Sequence, residues 1–179
     1  MPTAPAPIAP TAPLGVGDTA PPFALKNQYG ELVSLDEVLR RQEGQSGEGG
    51  KHVVLVFYPF AFSGICTGEL REIRDALDDF EGDDIQVLAI SCDAMHTLRA
   101  WAEAEGHFFP LLSDFWPHGE VAKAYGVFSQ ENGFAGRGTF LIDPTGVIRW
   151  TLVNGVGEAR DFGEYRAALA DLRRTPSPA

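Results

Sequence analysis

Cys66 is the residue of this 179-residue chain best placed for covalent chemistry. It lies in the segment Tyr58–Leu70, and the apolar run Val53–Tyr58 ahead of it predicts a buried strand. If a helix follows with Ser63 as its N-cap, Cys66 is the third helical residue. The free N–H groups and partial positive charge of a helix N-terminus favour a thiolate over a thiol there. A thiolate at a strand–helix junction is suited to nucleophilic or redox chemistry.

A structural role for Cys66 explains part of the same pattern, because cysteine is often a small buried apolar residue. The predicted helix would keep an apolar face without it, at Leu70, Ile73, Leu77 and Phe80. The surrounding pattern Pro-x-x-x-Ser-x-x-Cys, from Pro59 to Cys66, is more specific than a lone cysteine. Ser63 has a plain role as a helix cap, which is compatible with a role in a site.

Arg137 is the second candidate for the same site. It lies between Gly136 and Gly138 at the entrance to the apolar strand predicted at Thr139–Ile142. A guanidinium beside a thiolate stabilises its charge and can hold a leaving oxygen. A solvated surface arginine is the alternative, but the position ahead of an apolar strand favours the site.

The elements that would position these residues alternate between strands and helices. After a short hairpin and one short helix, a β-α-β-α series leads through a further short helix to a second hairpin and a closing helix. This order predicts an α/β protein of thioredoxin-like fold, with a mixed central sheet and helices on both faces. The predicted strands are Phe23–Asn27, Leu32–Ser34, Val53–Tyr58, Ile85–Ile90, Thr139–Ile142 and Val147–Thr151. Helices are predicted after Ser34, after Ser63, from Met95 to Gly106, at Gly119–Tyr125 and around Tyr165.

Composition excludes several classes of function. Fourteen Lys and Arg against 25 Asp and Glu give a net charge of −11, which disfavours binding to nucleic acid or to an anionic membrane surface. No apolar run approaches the roughly 20 residues that span a bilayer. Two cysteines and four scattered histidines provide neither a disulfide scaffold nor a metal-ligand motif. We therefore expect no metal, no membrane and no nucleic acid.

The chain is expected to form one domain. Residues 1–14 are rich in Ala and Pro, with five prolines and no charged side chain, which predicts a disordered tail ahead of a single domain at 15–179. This start lacks the basic residues and unbroken apolar segment of a secretory signal. No Asn-x-Ser/Thr acceptor occurs, so we expect a cytoplasmic protein. The Gly-rich stretch Gln42–Gly50 predicts a flexible loop.

Three segments together resemble the peroxiredoxins, thiol peroxidases of thioredoxin fold, and more closely their AhpE-like one-Cys branch. The segments are Phe60–Leu70 (FAFSGICTGEL), Phe109–Gly119 (FPLLSDFWPHG) continuing through Ala124–Phe128, and Arg137–Asp143 (RGTFLID). The resemblance runs from about Val16 to Leu172. One departure is Ser63, at a position where threonine is commoner; both hydroxyls can donate.

The resemblance implies a role for each candidate residue. Cys66 would be the peroxidatic nucleophile, which attacks a hydroperoxide and becomes a sulfenic acid. Arg137 would keep the sulfur ionised and stabilise charge as the O–O bond breaks, while Ser63 would donate a hydrogen bond to the peroxide. Pro59 would shield the sulfur from water and limit over-oxidation. Glu69 has two equally supported interpretations: it could orient an arginine, or it could lie on a solvated helix face.

The resemblance implies no cofactor, but it does imply partners. An external thiol would reduce the sulfenic acid: mycothiol with a glutaredoxin-like protein, or thioredoxin. A homodimer is expected, since members of the family commonly pair across a surface near the active site. Four aromatic residues beside the motifs could pack in the core or at such an interface, or could line an apolar rim that favours organic hydroperoxides: Phe60, Phe62, Phe115 and Trp116.

Two other functions compete with this interpretation. A cysteine phosphatase also uses a thiolate at a helix start, but its arginine six positions after the cysteine is here Glu72. A non-catalytic thioredoxin-fold binding module would leave Cys66 inert. Cys92, after the second buried strand, is expected to be a small residue at a strand end; the sequence leaves open whether it resolves the sulfenic acid.

Overall fold

The computed structural model describes residues 12–40, 50–75 and 85–174. The predicted apolar positions Leu77 and Phe80, most of the Gln42–Gly50 stretch and residues 1–11 lie outside them. The strands are β1 (Ala24–Asn27), β2 (Leu32–Ser34), β3 (His52–Phe57), β4 (Ile85–Ser91), β5 (Leu111–Ser113), β6 (Phe128–Ser129), β7 (Phe134–Ala135), β8 (Arg137–Ile142) and β9 (Ile148–Asn154), and the helices are α1 (Leu35–Leu39), α2 (Gly64–Asp75), α3 (Met95–Glu105), α4 (Glu120–Ala124) and α5 (Phe162–Arg174).

Seven of these strands form a mixed sheet in the order β2-β1-β5-β4-β3-β8-β9. The centre is parallel, with β4 between β3 and β5, while β8 pairs antiparallel with β3 and β9. The two short strands β6 and β7 form a separate hairpin. The predicted mixed sheet is therefore confirmed.

Side chains from β3 alternate between two apolar cores, one on each face of the sheet. Val54, Val56 and Tyr58, the residue directly after β3, lie in the first core, which also holds buried residues of α2, α3 and α5. Val53, Leu55 and Phe57 lie in the second core, which holds residues of α1 and α4. Because both faces are covered, the strand reads as an unbroken apolar run. Helices on both faces are thus confirmed.

The pairing of β3 with β8 brings the two candidate segments together. These strands are antiparallel and pair Val56 with Thr139, so the end of β3 lies beside the start of β8. Gly138 allows a close approach here: a Cβ on it would lie 2.8 Å from Cγ1 of Val127. Arg137, the first residue of β8, therefore lies at the end of the sheet where the chain leaves β3 and continues into α2.

Three short strands were not predicted from the sequence. β5 follows Phe109-Pro110 and has three residues, and β6 and β7 have two each. Such lengths are too short to show an alternating apolar pattern, and their pairing is decided by the neighbouring strand. The boundary predicted at residue 15 stays a prediction, although Leu14 donates its N–H to the Tyr125 carbonyl at 3.3 Å and packs against the second core.

Candidate active site

The chain between β3 and α2 places Cys66 at the first turn of a helix. Pro59 is buried, and α2 begins at Gly64, so Cys66 is its third residue, as predicted. The Cys66 N–H donates to Ser63 Oγ at 3.4 Å, which is the geometry of an N-cap serine. The Cys66 side chain is buried in the first core.

Arg137 contacts the sulfur directly. Its Nη1 lies 3.4 Å from Cys66 Sγ, and its side chain is buried. The guanidinium is fixed from behind, because Nε donates to the Val156 carbonyl at 2.7 Å. Residues 71 positions apart in the sequence are thus brought together with a cation against the thiol. This arrangement can stabilise a thiolate. It can also stabilise the oxygen anion that leaves a substrate when the sulfur attacks it.

Glu69 lies behind Arg137 rather than on a solvated helix face. It is 2% exposed, and its Oε2 accepts from Arg137 Nη1 at 2.6 Å and from Arg160 Nη1 at 2.7 Å. Its Oε1 accepts the backbone N–H of Arg160 at 2.9 Å. The structure therefore decides between the two alternatives for Glu69: the carboxylate orients arginines.

Arg160 is the functional candidate that the sequence analysis missed. Its Nε donates to Thr139 Oγ1 at 2.9 Å, and Nη2 bonds to the Phe57 carbonyl. Burial lowers the pKa of Arg160, and the Glu69 carboxylate opposes that shift. Arg160 lies in the connection before α5, where no periodic pattern marks it. The available signal was indirect: Glu69 is a charged residue in the otherwise apolar helix face at Cys66, Leu70 and Ile73, which implies a buried cation.

Tyr58 closes the first core beside the sulfur. Its ring lies 5.4 Å from that of Trp101, centroid to centroid. Burial is the main cause that raises its pKa well above the ordinary value, and the neighbouring Asp93 and Cys66 add to it. The phenol is therefore neutral at physiological pH.

The four aromatic residues beside the motifs are exposed rather than packed in the core: Phe60, Phe62, Phe115 and Trp116. Trp116 is 81% exposed. Phe60 packs against Phe134 of β7, with ring centroids 4.8 Å apart. Of the alternatives for these residues, core packing is wrong, and an interface or a substrate rim remains.

Cys92 lies apart from this constellation. It follows β4 directly and is buried in the second core, whereas Cys66 lies in the first. Both thiols are free. Burial raises the pKa of Cys92 to about 12, with Asp114 adding to the shift.

The described residues contain no group of three or more His, Cys, Asp and Glu side chains that could hold a metal ion. Within the same ranges, no helix combines the length and apolar character needed to cross a membrane.

Comparisons with known proteins agree with this geometry. Residues 16–151, more than half of the chain, match the model of the AhpC/TSA family. The chain is 48% identical to alkyl hydroperoxide reductase E of Mycobacterium tuberculosis over 159 residues, covering 89% of this chain and 98% of that protein. It is 38% identical to peroxiredoxin TSA2 of Saccharomyces cerevisiae over 155 residues, covering 81% of this chain and 73% of that protein.

Solved structures give the same result. The crystal structure of peroxidoxin BcpB from Mycobacterium tuberculosis superimposes with a TM-score of 0.75 at 29% identity, covering 92% of this chain and 99% of that one. The chain therefore belongs to the AhpC/TSA family and is a peroxiredoxin of thioredoxin-like fold, an enzyme that reduces peroxides at the expense of thiols.

Proposed function

We propose that Cys66 is the peroxidatic cysteine and that the enzyme works as a one-Cys peroxiredoxin on hydrogen peroxide and organic hydroperoxides. The observation that carries the proposal is the 3.4 Å contact between Arg137 Nη1 and Cys66 Sγ at the first turn of α2. A helix N-terminus and a buried guanidinium both act on the same sulfur. Thiolate, not thiol, is the nucleophile that attacks a peroxide.

The reaction follows from the groups around the sulfur. The Cys66 thiolate attacks one peroxide oxygen, the O–O bond breaks, and the second oxygen leaves with both bonding electrons. It takes up a proton and departs as water or an alcohol, while Cys66 is left as a sulfenic acid. Arg137 stabilises the negative charge that passes from sulfur to the leaving oxygen.

Ser63 and the Cys66 N–H are positioned to hold the peroxide. Their mutual contact of 3.4 Å is a long hydrogen bond, which leaves the N–H able to donate to a bound peroxide oxygen as well. The Ser63 hydroxyl accepts from that N–H and keeps its own proton for donation. Pro59, buried at the end of β3, has no N–H and keeps water from the sulfur.

Glu69 and Arg160 act through Arg137. Glu69 Oε2 pairs with both Arg137 and Arg160, and its negative charge allows the two positive guanidinium groups to lie in one buried site. Arg160 anchors this carboxylate to β3 and β8 through the Phe57 carbonyl and Thr139. Both are positioning residues for the guanidinium that contacts the sulfur.

We infer that the sulfenic acid is reduced by an external thiol, because Cys92 is buried in the other core. Mycothiol with a glutaredoxin-like protein is one candidate, in keeping with the similarity to the mycobacterial alkyl hydroperoxide reductase E, and thioredoxin is another. Two free cysteines suit the reducing conditions of the cytoplasm, where we place the reaction.

The exposed aromatic residues support a homodimer. Trp116 and Phe115 expose large apolar side chains, and aromatic residues are enriched at the centres of interfaces. Phe60, which packs on Phe134, would then border the peroxide entrance and offer an apolar surface to organic hydroperoxides.

The experiment is to oxidise the protein with one equivalent of peroxide, trap sulfenic acid with dimedone, and locate the adduct by mass spectrometry. We expect the adduct at Cys66 and no peroxide consumption by the Cys66→Ser variant. Cys92→Ser, which removes the other buried thiol, is the matched control and should consume peroxide normally. Substantial activity in Cys66→Ser would refute the proposal.

A further inference from the structure

The loop between β3 and α2 holds its residues in a conformation that needs support. Phe62 has φ of 64°, in the left-handed region that bulky side chains rarely adopt. Its side chain is 56% exposed, although its ring lies at the rim of the first core, with its centroid 6.2 Å from that of Trp101. Strained backbone of this kind persists where neighbouring structure fixes it, and it is frequent at active sites.

Asp93 supplies that support from the far side of the loop. Its Oδ2 accepts the N–H of Ala61 at 2.8 Å. The same oxygen accepts the Ser91 hydroxyl at 2.8 Å, and the Asp93 backbone N–H donates to Ser91 Oγ at 3.2 Å. Its carbonyl accepts the Ser113 hydroxyl at 2.7 Å. Asp93 is therefore fixed to the ends of two adjacent strands, β4 and β5, and presents one oxygen to the loop.

We propose that Asp93 is a positioning residue for peroxide reduction, which it serves by holding the loop from Pro59 to Ser63 through the Ala61 N–H. The inference rests on the proposed role of Cys66 and goes beyond it, because Asp93 contacts neither the sulfur nor Arg137. Ala61 lies two residues from Pro59 and two from Ser63, the residues assigned to shield the sulfur and to hold the peroxide.

The function of the contact is orientation rather than charge. Two donors converge on one Asp93 oxygen, and a neutral amide oxygen can accept both of them as well as a carboxylate oxygen can. We therefore expect asparagine at position 93 to preserve the contact with the Ala61 N–H and alanine to abolish it.

Comparing two reactions of Cys66 distinguishes an effect on the alignment of the peroxide from an effect on the reactivity of the sulfur. Oxidation by hydrogen peroxide needs the loop groups that align the O–O bond, whereas alkylation by iodoacetamide needs only an accessible thiolate. Misplacing a positioned group by about 1 Å can cost on the order of 10²-fold in rate. A loop that has lost its anchor should slow oxidation much more than alkylation.

The experiment compares Asp93→Ala, Asp93→Asn and Ser91→Ala with the wild type, with rates from quenched samples analysed by mass spectrometry. We expect Asp93→Ala to lose on the order of 10²-fold in oxidation rate while alkylation changes by less than about threefold. Asp93→Asn should keep most of the rate, and Ser91→Ala, which removes one of the two bonds to Oδ2, should lie between them. Asp36→Ala removes an exposed carboxylate on α1 and is the control.

The Ala61 amide gives a readout independent of turnover. Its hydrogen exchange, followed by NMR, should be slow in the wild type and in Asp93→Asn and measurably faster in Ser91→Ala, which keeps the acceptor of the Ala61 N–H but loses bonds that fix it. This readout keeps the test decisive if Asp93→Ala does not fold. Equal slowing of oxidation and alkylation, an oxidation rate in Asp93→Ala close to wild type, or an Asn variant as slow as the Ala variant would each overturn the inference. Peroxide consumption by Cys66→Ser would instead refute the proposed function itself.

Discussion

At the scale of single residues, the site balances buried charges around one sulfur. Arg137 and Arg160 supply two positive charges, and Glu69 supplies one negative charge. The described ion pairs therefore leave one positive charge more than negative charge beside Cys66 Sγ. The anionic sulfur that the proposed mechanism uses would be the second negative charge against these two cations.

Arg137 is expected to act through both its charge and its planar shape. Arg137→Ala should slow oxidation of Cys66 by about 10²-fold or more, as for the loss of an oxyanion donor. Arg137→Lys keeps the charge but loses the planar group in which Nε donates to the Val156 carbonyl while Nη1 donates to Glu69, so a partial loss is expected. Rapid-quench oxidation rates measure both, with the exposed Arg99→Ala as control. An unchanged rate in Arg137→Ala would place the residue outside the mechanism.

Glu69 is expected to matter more for stability than an ordinary surface carboxylate. Glu69→Gln leaves two arginines in a buried site with no anion between them, which should destabilise the fold by about 3 kcal/mol. Glu72→Gln makes the same change on an exposed position of the same helix and should alter stability by less than about 0.5 kcal/mol. Urea unfolding of the two variants measures the difference. Equal stabilities would show that the buried ion pairs contribute nothing.

At the scale of elements, the sequence predicted the strands and helices that carry the site but not all of its residues. The unbroken run in β3 and the apolar spacing in α2 placed Cys66 correctly at the third helical position. Arg137 was predicted because it precedes a long apolar strand. Arg160 could not be predicted, since its contacts with Glu69 and the Phe57 carbonyl exist only once β3, β8 and α2 have assembled. Non-local ion pairs leave no periodic signal in the chain.

His107 links the end of α3 to β5 and is expected to make stability depend on pH. Its imidazole is buried between Trp101 and Phe109, at centroid distances of 5.1 and 5.4 Å, and neither ring nitrogen has a hydrogen-bond partner among the described residues. The pKa of His107 is lowered to about 4, mainly by burial and next by the positive charge of Arg74 on α2. Arg71 acts in the same direction, while Glu105 and Asp75 oppose it.

The direction of the effect follows from where the proton binds. Between pH 6.5 and 4 the unfolded chain binds a proton at His107 and the folded chain does not, so stability falls as the pH is lowered through this range, by at most about 3 kcal/mol. Burial raises the pKa of Asp114 to about 6, which works in the opposite direction between pH 3.8 and 6. His107→Leu isolates the histidine: its stability relative to wild type should rise as the pH falls. A constant difference from pH 7 to 4.5 in urea unfolding would contradict this.

At the scale of the whole molecule, the sheet separates the two thiols. Cys66 packs in the core under α2, α3 and α5, while Cys92 packs in the core with α1 and α4. Both thiols lie in segments that follow neighbouring parallel strands, β3 and β4, and therefore at the same end of the sheet. The sequence did not show on which face of the sheet each side chain lies. Cys92, directly after β4, lies in the second core, whereas Cys66, in the first turn of α2, lies in the first core. The two side chains therefore do not face each other.

We expect one equivalent of peroxide to leave Cys66 as a sulfenic acid without an internal disulfide. A disulfide needs Cα atoms within roughly 7 Å and Cβ vectors that point together, and side chains in cores on opposite faces of a sheet do not meet the second condition. The Cys92 thiol is also a poor attacking group at neutral pH, because burial raises its pKa to about 12 and the attack requires the thiolate. Cys92→Ser should therefore show near-normal oxidation and the same dependence on an external thiol. Mass spectrometry of the oxidised wild type should show the gain of one oxygen; a loss of two hydrogens in the monomer would identify Cys92 as an internal resolving cysteine.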